Sequence, residues 1–212
     1  MDHRFARAVA VAATVFAAAG SAAAQTDAVA AVQSAPQASN DTKWVVDLVH
    51  SQVEFGIRHL IGRVRGSFSR WYGLISTQDR DWRHGTVKVQ VRTASINTGN
   101  TYRDADLRSP RFLDVERFPQ MTFESTEITT RDSTIELRGT LTLRGQSHPV
   151  VLKGTFRGIG KDLEGKERIA FEAGTHLNRH DYGINYNQLV EGTSVVGDDV
   201  EINVALEAVR AN

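Results

Sequence analysis

The stretch TIELRGTLTLRGQSHPVVL (134–152) decides the fold. Ile135, Leu137, Leu141 and Leu143 alternate with Thr134, Glu136, Arg138, Thr140 and Thr142. A period of two puts one set on each face of an extended strand, so this is a strand with one buried side. Arg144-Gly145 follows, a pair that turns the chain tightly, and Val150 and Leu152 resume the alternation. The segment therefore reads as an antiparallel hairpin with one apolar and one polar face.

The same pattern extends in both directions. Upstream, Val53, Phe55 and Ile57 oppose Gln52, Glu54 and Arg58; Val87, Val89 and Val91 oppose Lys88, Gln90 and Arg92. In 64–75, Val64, Phe68, Tyr72 and Leu74 fall on one side, with Trp71 and Ile75 on the other. Met121 and Phe123 open a further run, and Phe156 extends the hairpin's second arm. Downstream come Ile169, Phe171, Ala173 and Leu177, then Val200, Ile202, Val204, Leu206 and Ala208. Eight such runs, preceded by a short one near Trp44–Asp47, must hide a common apolar face. A closed barrel or a two-sheet sandwich would do so. Gly56, Gly66, Gly73, Gly139 and Gly154 lie within runs, where bending or close approach is expected, and they favour an eight-stranded antiparallel barrel. Connections 94–120 and 178–199 break the meander; the first predicts a short helix over Thr101–Arg108, with Asp104 and Arg108 paired and Pro110 ending it.

The first 24 residues read differently. Arg4 and Arg7 precede an apolar run from Ala8 to Ala19, and Ala22-Ala23-Ala24 offers small residues for cleavage. That run is too short to span a bilayer. Residues 1–24 are expected to be a cleaved export signal, 25–40 a flexible linker, and 41–212 the barrel, with the periplasm as destination. Lys plus Arg and Asp plus Glu number 25 each, a balance that argues against nucleic-acid binding. The absence of cysteine excludes disulfides, thiolate metal centres and thiol catalysis.

Catalytic signatures are sparse. His176 and His180 are four apart, but on an extended chain that spans about 13 Å, too far for one metal ion. No cofactor or metal is expected. Polar residues embedded in strands and long connections stand out instead: Asp47 with His50, His59, Arg65, Arg103 with Asp104 and Arg108, and Asn178-Arg179. Charged groups at a barrel mouth are costly unless they pair with one another or with a ligand head group.

These residues carry a resemblance. WVVDLVHSQVEFGIRHLIGRVRGSFSRWYG (44–73), SINTGNTYRDADLRSPRFLDVERFPQMTF (95–123), LRGTLTLRGQSHPVVL (137–152) and LNRHDYGIN (177–185) resemble, in order, the signatures of the YceI-like family of bacterial periplasmic proteins. The likeness covers about 43–209. The chain departs from the pattern at Leu113 and Tyr182, where Phe is usual, and at Arg111-Phe112, which lacks an acidic residue. The resemblance implies a lipocalin-like barrel, often dimeric, whose pore binds a long isoprenoid or related amphiphile. The candidate wall residues are then Phe55, Phe68, Leu107, Phe112, Phe123, Phe156, Phe171 and Tyr182. Candidate polar contacts are His50, His59, Arg65, Arg103, Asp104, Asn178 and Arg179.

The expected function is a periplasmic carrier of a quinone- or polyprenyl-phosphate-type lipid, without catalysis. Two other readings stay open: an acid/base enzyme acting on an amphiphile through His50, His59 or Asp104, and a stress-response interaction protein. Trp71 and Ile75, on the polar side of their strand, predict an apolar strip suited to a homodimer. Gly154→Phe or Ala173→Trp is expected to block the pore, and Arg103→Ala or Arg179→Ala to weaken lipid retention without loss of stability.

Overall fold

The computed structural model describes residues 41–78, 81–190 and 192–211; the expected export signal and linker lie outside them. The strands are β1 (Asp41–Val46), β2 (Gln52–His59), β3 (Gly62–Phe68), β4 (Trp71–Gln78), β5 (Asp81–Arg92), β6 (Ile96–Asn97), β7 (Gln120–Arg131), β8 (Thr134–Leu143), β9 (Gln146–Lys161), β10 (Glu167–Asn178), β11 (Leu189–Val190), β12 (Thr193–Ser194) and β13 (Val196–Arg210), with one helix, α1 (Thr101–Arg108). Antiparallel pairing runs β1-β4-β5-β7-β8-β9-β10-β13 and returns to β1, closing an eight-stranded barrel.

Two barrel positions are shared. β13 pairs with β2 through Val196–Ala205 and with β1 through Ala208–Arg210, so β1 and β2 are two halves of one interrupted strand. β4 continues β3 in the same way, after a break at Ser69-Arg70. That break corrects one expectation. Across it the alternation changes phase: Phe68 is inward on β3, then Trp71, Gly73, Ile75 and Thr77 are the buried members of β4. Trp71 and Ile75 are core residues, and Tyr72 is the half-exposed one. The apolar strip predicted for a dimer does not exist there.

Turn chemistry fixes the register. Leu143 pairs with Gln146 over Arg144-Gly145, both at positive φ, the arrangement that two-residue hairpins prefer. Asp162 Oδ1 accepts from the N–H groups of Glu164 and Lys166 (2.9 Å each) and shapes the β9–β10 turn. Gly154 is obligatory for a different reason: a Cβ there would lie 1.8 Å from Glu172 O on β10. Gly154→Phe would therefore break the sheet rather than plug a pore, another correction.

Helix α1 forms where predicted. Asn100 caps it by accepting from Arg103 N (3.0 Å). The expected Asp104–Arg108 pair is absent, because each side chain is engaged elsewhere. Asp104 Oδ1 accepts from Thr98 N (2.9 Å) and Thr98 Oγ1 (2.6 Å), while Arg108 donates to Ala94 O and Ile96 O. Both interactions bind the helix to the strand end before it.

The barrel has two unlike ends. The turns 132–133 and 162–166 lie at the base; the β2–β3 and β8–β9 turns, α1 and residues 179–195 lie at the mouth. Near the base, Trp44, Trp82, Phe156 and Phe171 form a chain of ring contacts with centroids 5.0–6.2 Å apart. Trp44 and Ala208 there are 0% exposed. Aromatic bulk, not a lid, closes that end.

Candidate ligand cavity

Above the aromatic plug the interior is hollow. A cavity of about 430 Å³ extends from Phe171 and Leu206 to Arg58, His59 and Gln188 at the mouth. Its wall follows directly from the alternation. Inward residues of β2 (Val53, Phe55), β5 (Val87, Val89), β8 (Leu137, Leu141) and β13 (Ile202, Val204) all face it. Between the base and the mouth, Thr175 is a lone hydroxyl on an otherwise hydrocarbon stretch of β10 that runs from Phe171 through Ala173 to Leu177. Such a wall offers burial and no directional bonds, so it suits a long apolar tail.

Small residues and rings set its width. A Cβ at Gly66 would strike the Phe55 ring at 2.6 Å, so Phe55 can lie flat over that glycine and meet Phe68 at 5.9 Å. At the mouth, Phe112 packs on Tyr186 (4.9 Å) and the Arg111 guanidinium lies 4.7 Å from the Tyr186 ring centroid. Arg111 also donates to Asp106 Oδ1 (2.5 Å), which closes a charged corner beside Leu107 and Arg103.

Ten of the fifteen candidate residues reach this cavity. Phe55, Phe68, Leu107, Phe112, Phe123, Phe171 and Tyr182 supply apolar wall; His59, Arg103 and Arg179 supply polar groups. Arg103 is held in place by Thr98, donating through Nε to Oγ1 (2.8 Å) and through Nη2 to the carbonyl (3.0 Å). The His59 imidazole has no hydrogen-bond partner among the described residues. Burial pushes the Tyr182 hydroxyl up to about 12, so it stays protonated at any physiological pH.

Arg179 has a different role from the one expected. It is 3% exposed and donates to Gly197 O, Ile184 O, Tyr186 O and Asp198 Oδ1 at 2.6–2.8 Å. Four of its five donors are spent on folding the 183–198 connection, and removing it should unfold that connection. The expectation of unchanged stability in Arg179→Ala is overturned.

Five candidates lie off the cavity. Arg65 points outward from β3, since the inward positions there are Val64 and Phe68. Asp104 is buried under Thr98, and Asn178 turns its Oδ1 to His180 N (3.0 Å) as a cap. Phe156 belongs to the basal plug. His50 sits on the outer face, where its Nδ1 meets Asp47 Oδ2 (2.9 Å). Arg168 bridges Asp47 (2.7 Å), Glu207 (2.6 Å) and Asp162 (3.0 Å). The Arg168 hydrogen bond, seconded by His50, holds the Asp47 carboxyl well below the usual range. Ligating atoms of Asp47, His50 and Glu207 lie within 4.8 Å of one another, yet the guanidinium already neutralises both carboxylates. His176, on β10, and His180, in the turn after it, go to separate acceptors, Asp199 and Asp198.

Several wall residues escaped the sequence reading. Trp71 was hidden by the phase change at Ser69-Arg70. Asp106 was legible in the sequence only as part of a charged helix face, and its place on the cavity wall three residues after Arg103 was not. Tyr186 and Gln188 sit in an aperiodic connection, which gives no local signal for which way a side chain points.

No helix among the described residues is long and apolar enough to cross a membrane. The sequence model of the YceI-like domain matches residues 44–208. A UPF0312 protein of Vibrio cholerae is 34% identical over 179 residues, covering 82% of this chain and 92% of its own. The crystal structure of a Campylobacter jejuni YceI protein superposes with a TM-score of 0.63 at 29% identity, over 73% of this chain and 90% of that one. A polyisoprenoid binding domain from Saccharophagus degradans, 15% identical, shares the fold with a TM-score of 0.61 over 79% of this chain and 98% of its own. In fold, in sequence and in the order of its signatures, the chain belongs to the YceI-like family.

Proposed function

We propose that this protein is an exported carrier that holds a long-chain isoprenoid-type lipid in the barrel, tail inward and head group at the mouth. One observation carries the reading: the cavity is closed by aromatic rings at the base, lined by hydrocarbon along its length, and polar at its open end. Lining residues on β13 run from Val196 to Leu206, about 33 Å along the strand at 3.3 Å per residue. With barrel strands tilted by about 35–45°, the axial depth is about 25 Å, room for a long chain rather than a compact ligand. Each methylene taken from water contributes about 0.8 kcal/mol, so affinity needs no elaborate polar site. The ligand class named for the Saccharophagus domain agrees with this chemistry.

Arg103, Asp106 and His59, together with Arg58 and Gln188 at the mouth, are groups available to a head group. Of the three residues of the acid/base alternative only His59 faces the cavity; His50 and Asp104 do not, so no acid/base set assembles there. In this reading residues 1–24 direct export to the periplasm and are removed, and 25–40 tether the barrel. A symmetric homodimer now rests on family resemblance alone, since Trp71 and Ile75 are interior; sedimentation equilibrium decides it. The central test is mass spectrometry of organic extracts from the purified native protein. A bound long-chain isoprenoid is expected. Protein that is folded, lipid-free and unable to take up such lipids from detergent would overturn the proposal.

A further inference from the structure

Two short hairpins at the mouth are hydrogen-bonded into one rim. The β2–β3 hairpin turns over Leu60 and Ile61, with His59 opposite Gly62. Leu60 N donates to Val195 O, and Val195 N donates to Gln188 O, both at 2.8 Å. Gln188 leads directly into the β11–β12 hairpin, where Leu189 pairs with Ser194. Leu60, Ile61, Leu189 and Val190 are all exposed: Ile61 wholly, Leu189 at 62%. Val195 and Val196, which join the two hairpins, line the cavity. An apolar surface thus runs from solvent over the rim and into the hollow.

The Leu60-Ile61 turn is also built against its own chemistry. Two-residue hairpin loops favour Asn, Asp or Gly because they need positive φ. Of the comparable turns, Asp132-Ser133 begins with aspartate, and Arg144-Gly145 ends in glycine with Arg144 tied to Gly183 O and Pro110 O. Leu60 adopts the same φ of 51° as Arg144, uncommon for a bulky residue, with an exposed apolar side chain in place of such bonds. Strain and solvent-exposed hydrocarbon coincide at one tip, and a task performed by that tip accounts for both.

The occupant follows from size and continuity. A second copy of the chain would need about 800 Å² from each partner, more than a few aliphatic side chains on two hairpin tips can supply. Tips of this kind instead suit the boundary between head groups and acyl chains, where apolar side chains are buried and flanking cations stay at head-group level. Arg63, ion-paired with Glu201 (2.7 Å), and Arg58, which donates to Leu60 O and Ser194 O (3.0 and 3.2 Å) across both hairpins, flank Leu60-Ile61 in that manner. Leu163, fully exposed in the β9–β10 turn at the base, has no such connection to the cavity.

We propose that the rim formed by Leu60, Ile61, Leu189 and Val190 docks on a lipid bilayer and sets the mouth against the source of the ligand. This rests on the lipid-carrier reading above. The test is flotation of the full exported chain with phosphatidylethanolamine–phosphatidylglycerol vesicles. Wild type and Leu163→Ser should float alike, and the double variant Ile61→Ser/Leu189→Ser should lose about tenfold or more in partitioning. Because the chain has no cysteine, an environment-sensitive dye on Ile61→Cys reports insertion without refolding ambiguity. Its emission should shift to the blue on adding vesicles, while the same dye on Leu163→Cys should not respond. Wild type that does not float, a double variant that floats equally, or an equal dye response at both ends would overturn the docking surface. Lipid loading from detergent, read by mass spectrometry, separates the two readings. Loading without flotation removes the docking surface and leaves the carrier; absence of loading removes the carrier and the docking role together.

Discussion

Below Phe171 the barrel interior is filled by Trp44, Trp82 and Phe156, and above it the same inward positions leave about 430 Å³ empty. The strands are continuous through both regions, and so is their alternation. What differs is the size of the inward side chains and what the connections do. At the base, short turns and indole rings close the end. At the mouth, long connections are tied by arginine side chains: Arg179 to four acceptors, and Arg144 to Gly183 O and Pro110 O (2.6 and 2.8 Å). One end is closed by packed rings, and the other is framed by connections that hydrogen bonds hold in place.

The sharpest way to break this contrast is at the plug. Trp44→Ala removes a fully buried ring that stacks on Trp82, and should cost about 3–5 kcal/mol in urea unfolding. Lipid bound per folded molecule should stay unchanged; a large loss would mean that the plug is part of the site. Arg179→Ala should cost about 2–4 kcal/mol, because the carbonyls of Ile184, Tyr186 and Gly197 lose their buried donor. Arg179→Lys should not restore it, as an ammonium cannot span the same fork. A melting temperature equal to wild type would show that the mouth connection folds without this staple.

Ala173→Trp places bulk into the hollow rather than the plug. Overpacking a filled core costs about 1–3 kcal/mol, so a smaller loss, below about 1 kcal/mol, with lipid occupancy falling to background, is the expected result. The smallest effect belongs to the outer face near the base. Asp47 has its folded pKa depressed by Arg168, so the stability it contributes is present above the ordinary carboxylate pKa of about 4 and is lost as pH falls below it. Asp47→Asn should flatten the acid limb from about pH 5 downward; an unchanged limb would assign it to other carboxylates.

Legibility in the sequence tracked periodicity. The strands of 134–152 and 200–208 could be read residue by residue, since each position's face follows from its parity, whereas the start of β13 at Val196 was read as connection. The helix over Thr101–Arg108 was legible from the spacing of Asp104 and Arg108, although that pair does not form, and from Pro110. Parity failed at Ser69-Arg70, where two residues outside the ladder inverted inside and outside for the whole of β4. For the cavity, Phe55, Phe68, Phe123 and Phe171 lay on the wall because hydrophobic alternation and cavity lining are the same property, whereas Leu107, Phe112 and Tyr182 lie off the strands and were reached through the family resemblance. Among polar candidates the sequence could not separate residues that meet solvent, cavity or backbone. Arg103 and Arg179 look alike in sequence, yet one is poised at the mouth and the other is consumed by carbonyls.

Strand β13 carries a kinetic consequence. It is the last described strand, and it pairs with β10, β2 and β1 at once. Ser51, near the start of the barrel, exchanges hydrogen bonds with Glu207 across 156 residues of chain. Contacts so distant in sequence make loop closure slow, and helices cannot nucleate this fold locally. The chain cannot seal its hollow until nearly all of it is available. Under the export proposed above, the partly emerged chain would have no closed state to become trapped in.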